Sequence, residues 1–198
     1  MIIQLVDRNK EMCDAWAKEF VDCDDVITFC GDFFTPETDC IVSPANSFGF
    51  MDGGLDGVIT KRLGSQVEKN IQDRIKETDI KELLVGQAIM VPTENKEIPF
   101  CISAPTMRVS MNIENTVNVY LAAKAIFSQL KGETRINKVT ISGLGTGVGN
   151  VSPEICAAQM KQAYDEIWLG KSKFPNSLKD AFLLNIKYIN ESIRKNRK

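Results

Sequence analysis

Lys138-Val139-Thr140-Ile141-Ser142-Gly143-Leu144-Gly145-Thr146-Gly147-Val148-Gly149-Asn150-Val151-Ser152-Pro153-Glu154 is the stretch on which the fold turns. Lys138 to Ser142 reads as a short buried strand, Gly143 to Asn150 as a glycine-rich loop. Ser152 and Pro153 then supply the cap and first position of a helix that runs to about Trp168. A loop between a strand and a helix lies at the strand's carboxyl end, where open α/β sheets place their ligands. Its backbone amides, with the helix dipole, hold phosphate without lysines. The glycine spacing fits neither the P-loop nor the G-x-G-x-x-G fingerprint, so one such loop is equally well a tight turn needing positive φ.

Working outward, a second loop has the same address. Gly49 to Gly57 follows short strands at Val26 to Cys30 and Asp39 to Ser43 and feeds a helical run with Val58, Ile59 and Leu63, continuing to about Lys76. The chain opens with a strand, Ile2 to Val6, and a helix, Asn9 to Phe20, carrying Met12, Trp16 and Phe20 at helical spacing. Strands follow near Gln87 to Val91 and Phe100 to Ala104, then a long helix from Asn112. The tail from Asn176 to Lys198 places Leu178, Phe182, Ile186, Ile189 and Ile193 on one stripe before a basic end, Arg194 to Lys198, and reads as a surface helix. Strands alternating with helices predict a mostly parallel or mixed sheet covered on both faces.

Composition narrows the chemistry. The chain of 198 residues is 43% hydrophobic and 25% charged, which predicts a single globular domain over 1–198. It contains no histidine, so a Ser-His-Asp triad and a His-zinc site are excluded, and carboxylates or water must do any acid–base work. No metal and no cofactor are expected. Cysteines at 13, 23, 30, 40, 101 and 156 form no C-x-x-C pair and read as reduced core thiols. With 24 basic against 26 acidic residues there is no broad basic field for a nucleic-acid backbone, so a charged ligand must be held locally. No run approaches the ~20 apolar residues of a membrane span, and Met1 to Asp7 reads as a strand rather than a signal peptide; a cytoplasmic protein is expected. Composition leaves the oligomeric state open.

Taken in order, Gly31-Asp32, Ile41-Val42-Ser43-Pro44-Ala45-Asn46-Ser47, Asp52-Gly53-Gly54-Leu55-Asp56-Gly57 and Gly143 to Gly149 resemble the macro-domain signature over roughly residues 25–170, leaving 171–198 as a helical extension. The resemblance implies a three-layer α/β/α sandwich with a mixed, mostly parallel central sheet. It implies a site for ADP-ribose or an ADP-ribosylated small molecule or macromolecule. It further implies hydrolysis at the distal ribose of an ADP-ribosyl ester, O-acyl-ADP-ribose or ADP-ribose 1''-phosphate; the alternative is a non-catalytic reader or sequestering protein. Asn46 matches the asparagine on the distal ribose and Asp56 the aspartate of hydrolytic members, although Asp56 is also placed to N-cap the following helix. Asp32 matches a buried carboxylate for the adenine amine, with Phe33 beside it, and is equally an Asx turn. Ala45, Gly53, Gly54, Gly143, Gly145, Thr146, Gly147 and Val148 complete the expected ligand contacts, Gly145 leaving room for phosphate against the backbone. Three departures stand out. Ser43-Pro44 replaces Asn-Ala, Asp52 takes a glycine position, and Val148 lies where many hydrolytic members carry an aromatic residue. Arg108 is either a phosphate partner at the rim or a solvated loop residue.

Overall fold

The computed structural model describes residues 1–189, so Ile193 and the basic end Arg194 to Lys198 lie outside the described residues. The elements are β1 (Ile2–Asp7), α1 (Lys10–Glu19), β2 (Val26–Cys30), β3 (Cys40–Ser43), α2 (Gly54–Leu63), α3 (Gln66–Glu77), β4 (Ile89–Pro92), β5 (Phe100–Ser103), α4 (Asn118–Leu130), β6 (Lys138–Ile141), α5 (Pro153–Ala163) and α6 (Leu178–Ile189). One six-stranded sheet has the order β2-β1-β6-β3-β5-β4. All its pairs are parallel except β4–β5 at the edge. The mixed, mostly parallel sheet of the sequence reading is the observed one.

Two helical layers follow from strand alternation, because successive side chains leave a strand on opposite faces. Ile3 and Leu5 of β1, Cys40 and Val42 of β3 and Ile102 of β5 pack with Met12, Trp16, Ile126, Phe127, Ala157 and Met160 on the side of α1, α4 and α5. Their neighbours Val6, Ile41 and Cys101 pack with Ile59, Val67, Ile71 and Ile75 of α2 and α3. Burial of these side chains from water, at roughly 25 cal/mol per Å² of apolar surface, holds the three layers together.

Local signals set the helix ends. Asn9 caps α1 by accepting the Glu11 amide at 2.9 Å, and Ser152 caps α5 by accepting the Ile155 amide at 3.3 Å. The helix-compatible sequence expected to about Lys76 forms two helices, α2 and α3, divided at Gly64, whose φ of +93° no helix accommodates. The helix expected from Asn112 begins at Asn118, because Asn112 turns back on the Glu114 amide at 2.9 Å and the Thr116 hydroxyl on the Ile113 carbonyl at 2.7 Å. Beyond α5 the chain makes a π-helical turn, Tyr164–Trp168, in which the Tyr164 hydroxyl and Trp168 indole both donate to Asp25, at 2.5 and 2.6 Å. The stripe expected on the tail helix is only partly covered: Leu178 and Phe182 remain exposed. Four cysteines are buried, but Cys23 is half-buried and Cys30 exposed, so not all are core thiols.

Gly145 lines the cleft, but the need for glycine at this position comes from the core. Its φ is +70°, and a side chain there would meet Ile113 at 2.9 Å and Val119 at 3.2 Å, in the core rather than beside a ligand. Gly147, two residues on, faces open space. Gly145→Ala should therefore lower unfolding free energy by about 1–3 kcal/mol, and Gly147→Ala by less than ~0.5 kcal/mol, as read from urea denaturation.

Candidate functional site

The carboxyl ends of β1, β3 and β6 open into a cleft of about 430 Å³, within the ordinary range for small-molecule sites. All ten expected ligand contacts line it, namely Asp32, Phe33, Ala45, Gly53, Gly54, Gly143, Gly145, Thr146, Gly147 and Val148, as do Asn46 and Asp56. Phe33 and Ala45 are largely buried in its wall, and Val148 is exposed at its rim.

Beyond β3 the chain stays extended against the segment after β5. The Ala104 amide donates to the Ser43 carbonyl, Thr106 to Ala45 and Ser47 to Arg108, each at 3.1 Å. This ladder presents Pro44 and Ala45 to the cleft and delivers Asn46 to the next turn. The Asn46 side chain then closes its own loop: Oδ1 accepts the amides of Phe48 at 3.1 Å and Phe50 at 3.3 Å, and Nδ2 donates to the Phe50 carbonyl at 2.7 Å. That clamp fixes Phe50, an exposed ring lining the cleft. The first loop thus lends the cleft an aromatic ring, where the second presents Val148.

The N-cap of α2 is Gly53, which has no side chain to bond the first-turn amides. An uncapped helix start opening into a cleft is suited to an anion. Asp56 lies in the first turn rather than at the cap, so the simple N-cap reading does not hold. Its Oδ1 accepts the Ser43 hydroxyl at 2.6 Å. Burial pushes the Asp56 carboxyl up to about 6, against the Ser43 hydrogen bond, with the charges of Asp52 and Glu68 adding to the rise.

The second loop is held from below by Asp7, whose Oδ2 accepts the Gly143 amide at 3.2 Å while Oδ1 accepts that of Asn9 at 2.9 Å. Thr146 donates to the Gly143 carbonyl at 3.2 Å, and the Ile113 amide ties down the Gly149 carbonyl at 2.9 Å. Gly147 and Val148 are left exposed between these anchors.

Asp32 is less buried than expected, its side chain 44% exposed. One oxygen accepts the Phe34 amide at 2.9 Å and the other pairs with Arg8. The Phe34 amide first, and then Arg8, hold its carboxyl below the ordinary value. The Asx turn is therefore formed, and the carboxylate still lines the cleft. Arg108 does not: its guanidinium binds Glu82 at 3.0 and 2.6 Å and lies 5.0 Å over the Phe48 ring. Among the described residues the cation lining the cleft is Arg8, which pairs with Asp32; Asp7, Asp52 and Asp56 line it too. Sequence reasoning missed Arg8, Asp7, Phe50 and the partnership of Ser43 with Asp56. Asp7 and Arg8 share the strand-end address that flagged the glycine loops, and that signal would have found them. Among the described residues, no group of three or more His, Cys, Asp or Glu is placed to hold a metal ion, and no helix is long and apolar enough to cross a membrane.

Fold and cleft together define a three-layer α/β protein with an amide-rich site across the carboxyl ends of parallel strands. Its sequence matches the Macro domain family over residues 42–160, more than half of the chain, and the protein belongs to that family. An uncharacterized protein of Aquifex aeolicus is 30% identical over 136 residues, which span 69% of this chain and 78% of that one. Among solved structures, the Oceanobacillus iheyensis macrodomain with ADP is similar at a TM-score of 0.59 and 19% identity, covering 83% of this chain and 90% of that one. Thermosipho africanus DarTG in complex with ADP-ribose is similar at a TM-score of 0.58 and 15% identity, covering 94% of this chain and 57% of that one.

Asp56 also marks the site in stability. Its raised value means that, between about 3.8 and about 6, the folded protein holds a proton that the unfolded chain has released. Stability from this group therefore falls as pH rises through that window, and the loss is complete above it. Asp56→Asn should be more stable than the parent at pH 7.5 by on the order of 2–3 kcal/mol in urea denaturation. That difference should shrink as pH is lowered towards 4.

Proposed function

We propose that this cleft binds ADP-ribose or an ADP-ribosylated compound and hydrolyses the bond at the anomeric carbon of the distal ribose. The observation that carries the reading is Asp56, a carboxylate held at about 6 in the first turn of an uncapped helix facing the cleft. A base poised near neutral pH is suited to taking a proton from water. The solved relatives crystallised with ADP and with ADP-ribose support the ligand class.

In this reading the diphosphate lies between the Gly143–Gly149 amides and those opening α2, and the adenine lies towards Asp32 and Phe33. The unused N–H of Asn46 Nδ2 bonds a ribose hydroxyl. Asp56 takes a proton from water as the oxygen forms a bond to the anomeric carbon. The bond from that carbon to the acyl, carboxylate or phosphate oxygen breaks, and the leaving oxygen keeps the electron pair. Asp56 then returns the proton to solvent or to the leaving group. No histidine or metal enters these steps.

A reader without turnover is the second reading, favoured by the engagement of Asn46 within its own loop. Calorimetry and a product assay separate the two. The parent should bind ADP-ribose with micromolar affinity and selectively over AMP, ADP and NAD, and Asp32→Ala should weaken binding by about 1–3 kcal/mol. Asp56→Asn should keep binding and lose at least ~10²-fold in turnover of an ADP-ribosyl ester. Binding by the parent with no product would establish the reader. Absence of heat with ADP-ribose would overturn both.

A further inference from the structure

Ser43 departs from the family's pattern, yet its side chain reaches the one carboxylate to which the reaction is assigned. It ends β3 and is fully buried, and its side chain leaves the strand on the same face as Ile41, towards α2 and α3. A hydroxyl has one hydrogen to give. That of Ser43 goes to Asp56 Oδ1, at 2.6 Å. The backbone of Ser43 is fixed independently, through its register with Ser103 in β5 and the Ala104 amide at 3.1 Å on its carbonyl. The donor therefore stands on the rigid sheet, and the acceptor on the helix across from it.

From this geometry we infer that Ser43 is a positioning residue for Asp56, holding Oδ1 so that Oδ2 is the oxygen presented to water in the cleft. The inference rests on the reading of Asp56 as the base. Oδ2 has no hydrogen-bond partner among the described residues, and Asp56 lines the cleft. With Oδ1 tied to the sheet, rotation of the carboxylate about its terminal torsion is arrested. A single oxygen then meets the substrate in a fixed direction, which is the condition for an effective proton acceptor.

The surrounding charges give Ser43 a second consequence. Asp52 in the preceding loop and Glu68 on α3 both disfavour ionisation of Asp56, and burial disfavours it most. On the sheet side, Cys101 of β5 lies close enough that the Asp56 charge raises its own thiol, so it supplies no positive partner. Against these, the Ser43 hydroxyl is the influence that favours the carboxylate. A methyl in its place leaves Oδ1 buried without a donor, and the neutral acid gains.

The test compares the parent with Ser43→Ala and Ser43→Thr, each checked for folding by near-ultraviolet circular dichroism. Two readouts are taken: kcat/KM against pH with an ADP-ribosyl ester, and carbon-13 titration of the Asp56 carboxyl in ligand-free protein. In Ser43→Ala the acid limb of the rate profile and the carboxyl titration should both move up by roughly one unit. At pH 6.5 this appears as a several-fold loss carried by kcat rather than KM. Ser43→Thr, which keeps the hydroxyl and suits a strand, should restore both towards the parent. Turnover by the parent with an unmoved limb and titration in Ser43→Ala would overturn the Ser43 inference alone. Absence of turnover by the parent would instead overturn the base assignment, and the positioning role with it.

Discussion

Parallel pairing of β6 between β1 and β3 is the constraint from which the site follows. In a parallel sheet the carboxyl ends of neighbouring strands share an edge, so Asp7 and Arg8 at the end of β1, Pro44 to Asn46 after β3 and Ser142 to Gly149 after β6 converge without any long-range search. The direction of chain progression reverses across these central strands, which opens a crevice there. The alternation that buries Ile3, Leu5 and Val42 on one face and Val6, Ile41 and Cys101 on the other locks the register. A one-residue slip would carry every one of these side chains to the wrong layer.

Electrostatics in the crevice run against intuition for an anion site. Four aspartates and a single arginine line it, and that arginine is already paired with Asp32. A phosphate held here must be held by backbone amides, whose partial charges are fixed in direction by loop anchors such as Asp7 and by the bare start of α2. The aspartates are not all free charges. Both Asp7 oxygens accept amides, and Asp56 is held near the point where it gains a proton. The same burial that suits Asp56 to the proposed role of base makes it costly in the folded state, the usual relation between a site and the stability of its scaffold.

Much of this was legible in the sequence, because period-2 runs and glycine loops are local signals. Strand–loop–helix order predicts both the layered fold and the two loops, and the ordered motifs name many of the lining residues. What escaped were relations between distant residues. Nothing in Ser43-Pro44 says that its hydroxyl meets Asp56 thirteen residues on, since that contact depends on how α2 crosses the sheet. Arg108 was open to two readings until Glu82, twenty-six residues away in sequence, was seen to hold it. Gly145 lines the cleft, but spacing alone does not tell that a side chain there would point into the core. Asp32 forms the Asx turn and lines the cleft as well, since a short polar residue at a strand end can hold a turn and still face outward.

In the proposed function, backbone amides of the two glycine loops, rather than cationic side chains, hold the diphosphate. This is tested most directly by nitrogen-15 amide spectra of the assigned protein during titration with ADP-ribose at low and high salt. The largest shifts are expected at Gly54, Leu55 and Asp56 and across Gly143 to Gly149, with an affinity that depends little on salt. Unmoved loop amides would contradict it, as would an affinity that collapses with salt and disappears in Arg8→Ala.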